Sequence, residues 1–404
     1  MHEETIVQDN AWNVLLVEDD ETIRQQVVDY FSQMSFDSRS LNIREIDNLS
    51  IALSQIRERK ADLIILDVYR GIALQGGEQI GIQILNRIKD SGFVPIILYT
   101  ALPEGLEEYR SAFVRLVGKD VGGLEKLKEE IDNLFRLRIP QINRAIINHI
   151  DQTMRDYMWE FVQTNWDAFR ALINKPEFLR LIIQHLARTF AREGIDNLTA
   201  EVYGTEVVGQ TAEDIVHPAE YYIKPPISSA PLFGDIRVRK SGETNEYLVI
   251  LWPSCDMIPR KNQTGQGEEK TEFALCAHAT QAGNACEVAE WLSSTTSNSR
   301  QKKVERLVSN NREGMSRDRY HFLPGVWDIP SLVVDFQMLE HVALKEIKNL
   351  SCLATLASPF AEAFGARFRR YIGRIGTPDL DIKAVLEQLK NSASPAPDCG
   401  ISTE

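Results

Sequence analysis

A chain of 404 residues is longer than one ordinary hydrophobic core, so two or three domains are expected. With 43% hydrophobic and 25% charged residues its composition is that of a soluble globular protein, and its longest apolar runs are strand-sized, which excludes a membrane span. A net charge of −13 argues against a general binder of phosphate backbones, so nucleic acid is not an expected partner. The acidic start, Met1-His2-Glu3-Glu4, lacks the order of a signal peptide. Five cysteines, an odd and sparse set, point to reduced thiols and a cytoplasmic location.

Along residues 13–138 strands and helices alternate. Residues 13–17 form a short apolar strand that ends in Glu18, Asp19 and Asp20, and the helix after it carries Ile23, Val27, Val28, Tyr30 and Phe31 on one side. Residues 61–66 are nearly all apolar, as in a strand buried on both faces; 94–99 is a second such run and 113–117 a shorter third. Helical patterns lie at 49–59, 78–89, 104–112 and 124–137. This alternation calls for a parallel sheet covered on both faces, whose sites form beyond the carboxyl ends of the strands.

The polar residues fall at those ends. Glu18 and Asp19 follow the first strand and Asp67 the third; Thr100, with the small Ala101 after it, closes the fourth, and Lys119 the fifth. Three carboxylates brought together repel one another unless a hard cation sits among them, and Mg²⁺ with oxygen ligands suits that place. The alternative is an unrelated doubly wound domain whose acids cap helices, Asp20 for instance serving as an N-cap.

The order of these residues resembles the receiver domains of two-component response regulators over roughly residues 12–138. The resemblance implies a doubly wound, five-stranded parallel sheet. It also implies that Asp67 takes a phosphoryl group from phosphohistidine on a histidine kinase, while Glu18, Asp19, Asp67 and the backbone carbonyl of Tyr69 hold Mg²⁺. Lys119 would pair with a phosphoryl oxygen, and the Thr100 hydroxyl would bond to another. The sequence departs from the family in three places. Asp120 stands where proline usually follows the lysine, Leu116 replaces the usual aromatic switch residue, and the glycine-rich loop 69–79 is long. These departures put the coupling of phosphorylation to output in doubt, not phosphorylation.

From residue 139 the text is helical. Ile142, Ile146, Ile150, Met154, Met158, Phe161, Trp166 and Phe169 form one stripe. Pro176 opens a second helix carrying Phe178, Leu179, Ile182, Ile183, Leu186 and Phe190, stopped by Gly194. Residues 139–198 are therefore expected to be a helical hairpin linker, with homodimerisation as one use. Residues 199–391 read as an α+β domain rich in strands: 236–239 and 247–252 are strands, 260–270 an exposed loop, and 287–294, 301–309, 359–372 and 382–389 helices. Residues 392–404 are small and polar and are expected to be disordered.

Several groups in this second half invite a chemical reading. Cys255 follows a strand, where a nucleophile with His278 or His321 as base is conceivable; the plainer reading is a buried cysteine in a tight turn. Cys276, His278, Cys286 and Cys255 match no common zinc spacing. Asp235, Asp335, Asp379 and Asp381 lack the partner lysine of a metal nuclease. The run 367–374 interleaves arginines with Phe368, Tyr371 and Ile372, which fits a phosphate-contacting face or, more simply, a solvated helix with Phe368 and Ile372 turned inward. His149 could belong to a phosphotransfer hairpin, but Ile150-Asp151 lacks the usual surroundings. No catalytic set is complete. The layout as a whole is similar to the buffer response regulators of Detocs-type three-component anti-phage systems, which implies a protein that absorbs stray phosphoryl groups from a kinase. The other possibility left open is a phosphorylation-gated effector whose second domain is an enzyme or binds nucleic acid.

Overall fold

The computed structural model describes residues 11–47, 61–69, 80–190, 192–204, 215–242, 244–261, 267–293, 298–312, 316, 318–375 and 380–392. The expected helix 49–59, the loop beyond Tyr69, Asp379, Cys399 and the tail from 393 lie outside them. The chain divides into two compact units, Met1–Asp214 and Ile215–Glu404. No helix among the described residues is long and apolar enough to cross a membrane.

In the first unit β1 (Ala11–Val17) is the centre of the sheet. α1 (Glu21–Phe31) follows, then β2 (Ser35–Phe36), β3 (Arg39–Ile46), β4 (Leu63–Leu66), α2 (Ile80–Ser91), β5 (Ile96–Thr100), β6 (Val114–Gly118) and α3 (Gly123–Arg136). The order across the sheet is β2-β3-β1-β4-β5-β6. The five strands from β3 to β6 are parallel, as the alternation requires. The two-residue β2 is an addition, pairing antiparallel with β3 at the edge through a turn in which Asp37 and Ser38 both take positive φ. Every residue of β4 and β5 is buried, and apolar clusters fill both faces of the sheet.

The expected helix 104–112 does not form. Pro103 and Gly105, the latter at φ 83°, leave only a 3₁₀ turn at Glu107–Tyr109, and Leu106 and Tyr109 cover that part of the sheet instead.

α4 (Ile139–Asp156) follows α3 after a break at Arg138, which sits at φ 59°. It runs into a π-helical turn at Tyr157–Val162, and α5 (Pro176–Thr189) and α6 (Arg192–Tyr203) pack on it. Beyond the two helices of the expected hairpin the region holds a third long one, α6, and a four-residue helix at Trp166–Phe169. The expected stop at Gly194 is displaced: the second helix ends at Thr189, and Gly194 lies inside α6, where a Cβ would sit 1.7 Å from the Thr189 carbonyl oxygen. α4 is tied to the amino-terminal side of the sheet, away from the strand ends that carry the acids. Arg144 ion-pairs with the buried Asp62, donates to the Ala11 carbonyl at 2.7 Å and lies 4.2 Å from the Trp12 ring centre.

The second unit is built on one antiparallel sheet, ordered β13-β14-β12-β9-β8-β15-β7. Its strands are β7 (Tyr222–Ile223), β8 (Asp235–Ser241), β9 (Thr244–Ile250), β12 (Phe273–Gln281), β13 (Tyr320–Leu323), β14 (Leu332–Ala343) and β15 (Ser351–Leu356). The segment expected as a loop at 260–270 contains a small antiparallel pair, β10 (Arg260–Lys261) with β11 (Gly267–Glu268). Helices α7 (Cys286–Leu292), α8 (Asn298–Val308), α9 (Leu344–Asn349), α10 (Phe360–Ile372) and α11 (Ile382–Ser392) complete it. α10 buries Phe364, Phe368 and Tyr371 against sheet residues that include Ile236 and Phe336. Tyr371, not the expected Ile372, turns inward with Phe368, and Ile372 is exposed.

Candidate functional site

The parallel strands deliver the five expected side chains to one edge of the first unit. Backbone bonds lock the ends in place: Glu18 N–H donates to the Ile46 carbonyl at 3.0 Å, Asp67 N–H to Val17 at 2.8 Å, and Lys119 N–H to Thr100 at 2.8 Å. The Asp20 carboxylate accepts from the N–H groups of Thr22 and Ile23 and starts α1. Asp20 is therefore the N-cap named in the alternative reading, while Glu18 and Asp19 stand apart from it.

Glu18 and Asp67 are 1% and 5% exposed, Thr100 is fully buried, and Asp19 is open to solvent. The Lys119 ammonium lies 2.6 Å from Glu18 Oε2 and 3.0 Å from Asp67 Oδ2. One carboxylate oxygen from each of Glu18, Asp19 and Asp67 falls within 4.8 Å of the others. Asp67 Oδ1 accepts from Val68 N–H at 2.8 Å, and the Tyr69 N–H also bonds to this carboxylate. Thr100 Oγ1 receives a long bond, 3.5 Å, from Leu102 N–H.

The electrostatics of the cluster follow from burial. Loss of water, then the facing Asp67 carboxylate, pushes the Glu18 carboxyl up to about 7, with Lys119 opposing. Burial likewise raises Asp67, against the pull of Lys119 and the two N–H donors. Three carboxylates gather beside one ammonium, which pairs with Glu18 and Asp67, and Glu18 Oε2 is buried without a well-directed hydrogen bond. That surplus of negative charge on hard oxygen donors fits a divalent cation.

Three participants carry no sequence signal. Arg24, on α1, donates to the Glu18 carbonyl at 2.8 Å. Tyr99 lies beneath Lys119, whose Nζ is 5.7 Å from the ring centre; burial first, then Glu18, push its hydroxyl up to about 12. Gly81 packs α2 so closely on the acceptor strand that a Cβ would stand 2.2 Å from the Asp67 carbonyl oxygen. Of the family departures, the Lys119–Asp120 bond is trans, since cis bonds among the described residues fall only at Lys224–Pro225 and Ser358–Pro359. Asp120 turns outward to Lys126 at 2.9 Å, and Leu116 packs at the edge of the core.

The chemical candidates of the second unit do not converge. The exposed Cys255 bonds only to Asp256, at 3.5 Å, among the described residues. His278 pairs with Glu340 at 3.0 Å. His321 is buried against Phe336 and Phe364, where burial lowers it to about 3. Cys276 is a core residue of β12, its thiol pushed up to about 12 by burial. The cluster of Glu18, Asp19 and Asp67 is the one metal-suited group found among the described residues, so Cys255, Cys276, His278 and Cys286 form no zinc site there. Asp235 is held by Arg237 and Thr355, Asp335 by Arg319, and Asp381 caps α11. His149 bonds to Thr189 at 3.2 Å and meets the Phe190 ring. Arg367 and Arg370 both pair with Asp318.

Comparison with known proteins adds the following. Residues 14–121 match the family described as response regulator receiver domain. Among solved structures, the response regulator TrrA of Thermotoga maritima, in complex with Mg²⁺-BeF, is 22% identical at a TM-score of 0.24, covering 30% of this chain and 98% of that one. The chemotaxis protein CheY4 of Vibrio cholerae is 18% identical at 0.24, covering 30% and 98%. A signal receiver domain of a putative LuxO repressor from Vibrio parahaemolyticus is 21% identical at 0.25, covering 31% and 92%. No curated protein matches the chain. Residues 14–121 of this chain are a response regulator receiver domain.

Proposed function

We propose that the protein is a response regulator that accepts a phosphoryl group on Asp67 from a histidine kinase. The observation that carries this reading is the Lys119 ammonium set between Glu18 and Asp67 with Asp19 beside them. One carboxylate oxygen of Asp67 attacks phosphorus as the P–N bond to the kinase imidazole breaks, and the electron pair of that bond stays on the imidazole. Glu18, Asp19, Asp67 and the Tyr69 carbonyl would hold Mg²⁺, which neutralises charge on the phosphoryl group when bound. Lys119 is already in place to pair with a phosphoryl oxygen, so little reorganisation is needed at transfer. The Thr100 hydroxyl, weakly engaged by Leu102, is available to bond to another oxygen.

The role proposed for the chain is that of a binding protein or phosphoryl sink. A phosphoryl sink in anti-phage defence agrees with the domain layout. The helices of 139–198 leave Trp159, Leu179 and Ile183 exposed, which supports their use in a homodimer; a monomeric mass in sedimentation at all concentrations tested would exclude it.

Phosphotransfer is tested with the operon's kinase, labelled ATP and Mg²⁺ on wild type and Asp67→Asn side by side. Label on wild type alone, lost in EDTA, is the expected outcome. Equal label on Asp67→Asn would move the acceptor elsewhere, and none on either, with the kinase itself labelled, would make the domain a pseudo-receiver.

A further inference from the structure

We propose that the second unit binds a small organic phosphate monoester in a basic cavity beside Tyr320. The cavity, about 340 Å³, is lined by Arg312, Arg319, Arg367 and Arg370 together with Asp318 and Asn310. Four guanidiniums on one small cavity are unexpected in a chain of net charge −13.

The arginines are held in fixed orientations. The Tyr320 ring lies between the guanidiniums of Arg312 and Arg319, 4.5 and 4.8 Å from its centre. Glu287 accepts from Arg312 Nε at 2.5 Å and Nη2 at 2.9 Å. Asp335 accepts from Arg319 Nε at 2.9 Å and Nη2 at 2.7 Å. Asp318 faces Arg370 at 3.2 Å and Arg367 at 3.2 Å, one helical turn apart on α10. Arg312 and Arg319 each commit two of the five N–H donors of a guanidinium to a carboxylate; Arg312 also bonds to the Cys286 side chain, so two donors are left on Arg312 and three on Arg319. The acids thus orient the forks without exhausting them.

Charge and shape then select the ligand. Among the described residues four guanidiniums line the cavity against the three carboxylates of Glu287, Asp318 and Asp335. A phosphate monoester, doubly charged near neutral pH and matched to planar forks, complements it better than a carboxylate does. Arg312 and Tyr320 also line a neighbouring cavity of about 780 Å³, whose wall mixes Tyr247, Gln281, Thr280 and Val333. That mixed wall and volume suit the sugar or nucleoside body of a phosphorylated metabolite. A polynucleotide is disfavoured by the enclosed scale of the basic cavity and by the acidic balance of the chain.

The test uses the full chain carrying Asp67→Asn, in EDTA, so that the receiver site takes no part and failure here leaves the phosphoacceptor reading untouched. Calorimetric titrations with adenosine monophosphate, ribose 5-phosphate, inorganic phosphate and adenosine are compared. Saturable binding of the phosphorylated probes, with adenosine about tenfold weaker or silent, is expected. Arg370→Ala, at a residue whose side chain is 57% exposed, should weaken it by roughly tenfold with unchanged thermal stability, and Arg370→Lys should fall between. Absence of saturable binding by every phosphorylated probe, or equal binding by Arg370→Ala, overturns the proposal. Preference for a single-stranded oligonucleotide over the monophosphate overturns it in favour of a nucleic-acid face.

Discussion

Gly81 shows how narrowly the acceptor is held. A methyl group there would meet the Asp67 carbonyl oxygen at 2.2 Å and the Val68 Cα at 2.6 Å, and both are backbone atoms that cannot swing aside. Gly81→Ala must therefore displace either α2 or the strand end that carries Asp67. A loss of about 1–3 kcal/mol in urea unfolding is expected, with phosphorylation slowed more than stability alone explains. A variant that unfolds and labels like wild type would show that α2 does not position the acceptor. No signal in the sequence marks this contact. Asp67, Glu18, Asp19, Thr100 and Lys119 were legible because each follows an apolar run and the parallel sheet fixes where such runs end. Close approach of one backbone to another has no periodicity, and neither has the placement of Arg24 or Tyr99. The isomer of the Lys119–Asp120 link, left open by the sequence, is trans, as the cost of a cis bond without proline favours.

Elements were readable wherever one pattern governed a whole segment and misread wherever two patterns competed. Residues 104–112 hold enough helix formers to suggest a helix, yet Pro103 and Gly105 set the chain into a turn whose buried Leu106 does the covering instead. Gly194 read as a stop because glycine ends many helices; here its missing Cβ lets α6 begin against the end of α5. Attachment of α4 to the sheet depends on Arg144 and Asp62, 82 residues apart, a pairing no local pattern announces. Both side chains are almost buried, Asp62 also accepts from Asn13 N–H at 2.7 Å, and Arg144 covers Trp12. Arg144→Met leaves the Asp62 carboxylate buried without its cation and should cost about 3–5 kcal/mol. Adding Asp62→Asn should recover part of that loss, because the amide keeps an acceptor for Asn13 and carries no charge. Denaturant unfolding of the single and double variants measures both effects; equal stabilities for the two would show that the charge is not what ties the helix down.

Two units with separate cores predict two calorimetric transitions, each with its own chemical handle. Mg²⁺ should raise the transition of the unit that carries Glu18, Asp19 and Asp67 by mass action, and Asp67→Asn should shrink that rise. The other unit responds to acid through His321. Its imidazole is buried, Nδ1 has no hydrogen-bond partner among the described residues, and the nearby Arg367 opposes a second positive charge, so the folded form stays neutral down to about 3. An unfolded histidine takes its proton near pH 6.5, so stability is complete above that value and falls as pH drops from about 6.5 towards 3. Over that window His321 alone should remove about 1.4 kcal/mol per pH unit once the unfolded form is fully protonated. His321→Phe, placed between Phe336 and Phe364, cannot titrate and should flatten the acid slope of this transition while leaving the Mg²⁺-sensitive one where it was. If the slope is unchanged, the acid sensitivity belongs to the paired carboxylates of this unit, Glu340 and Glu287 among them, which arginine partners hold below the usual range.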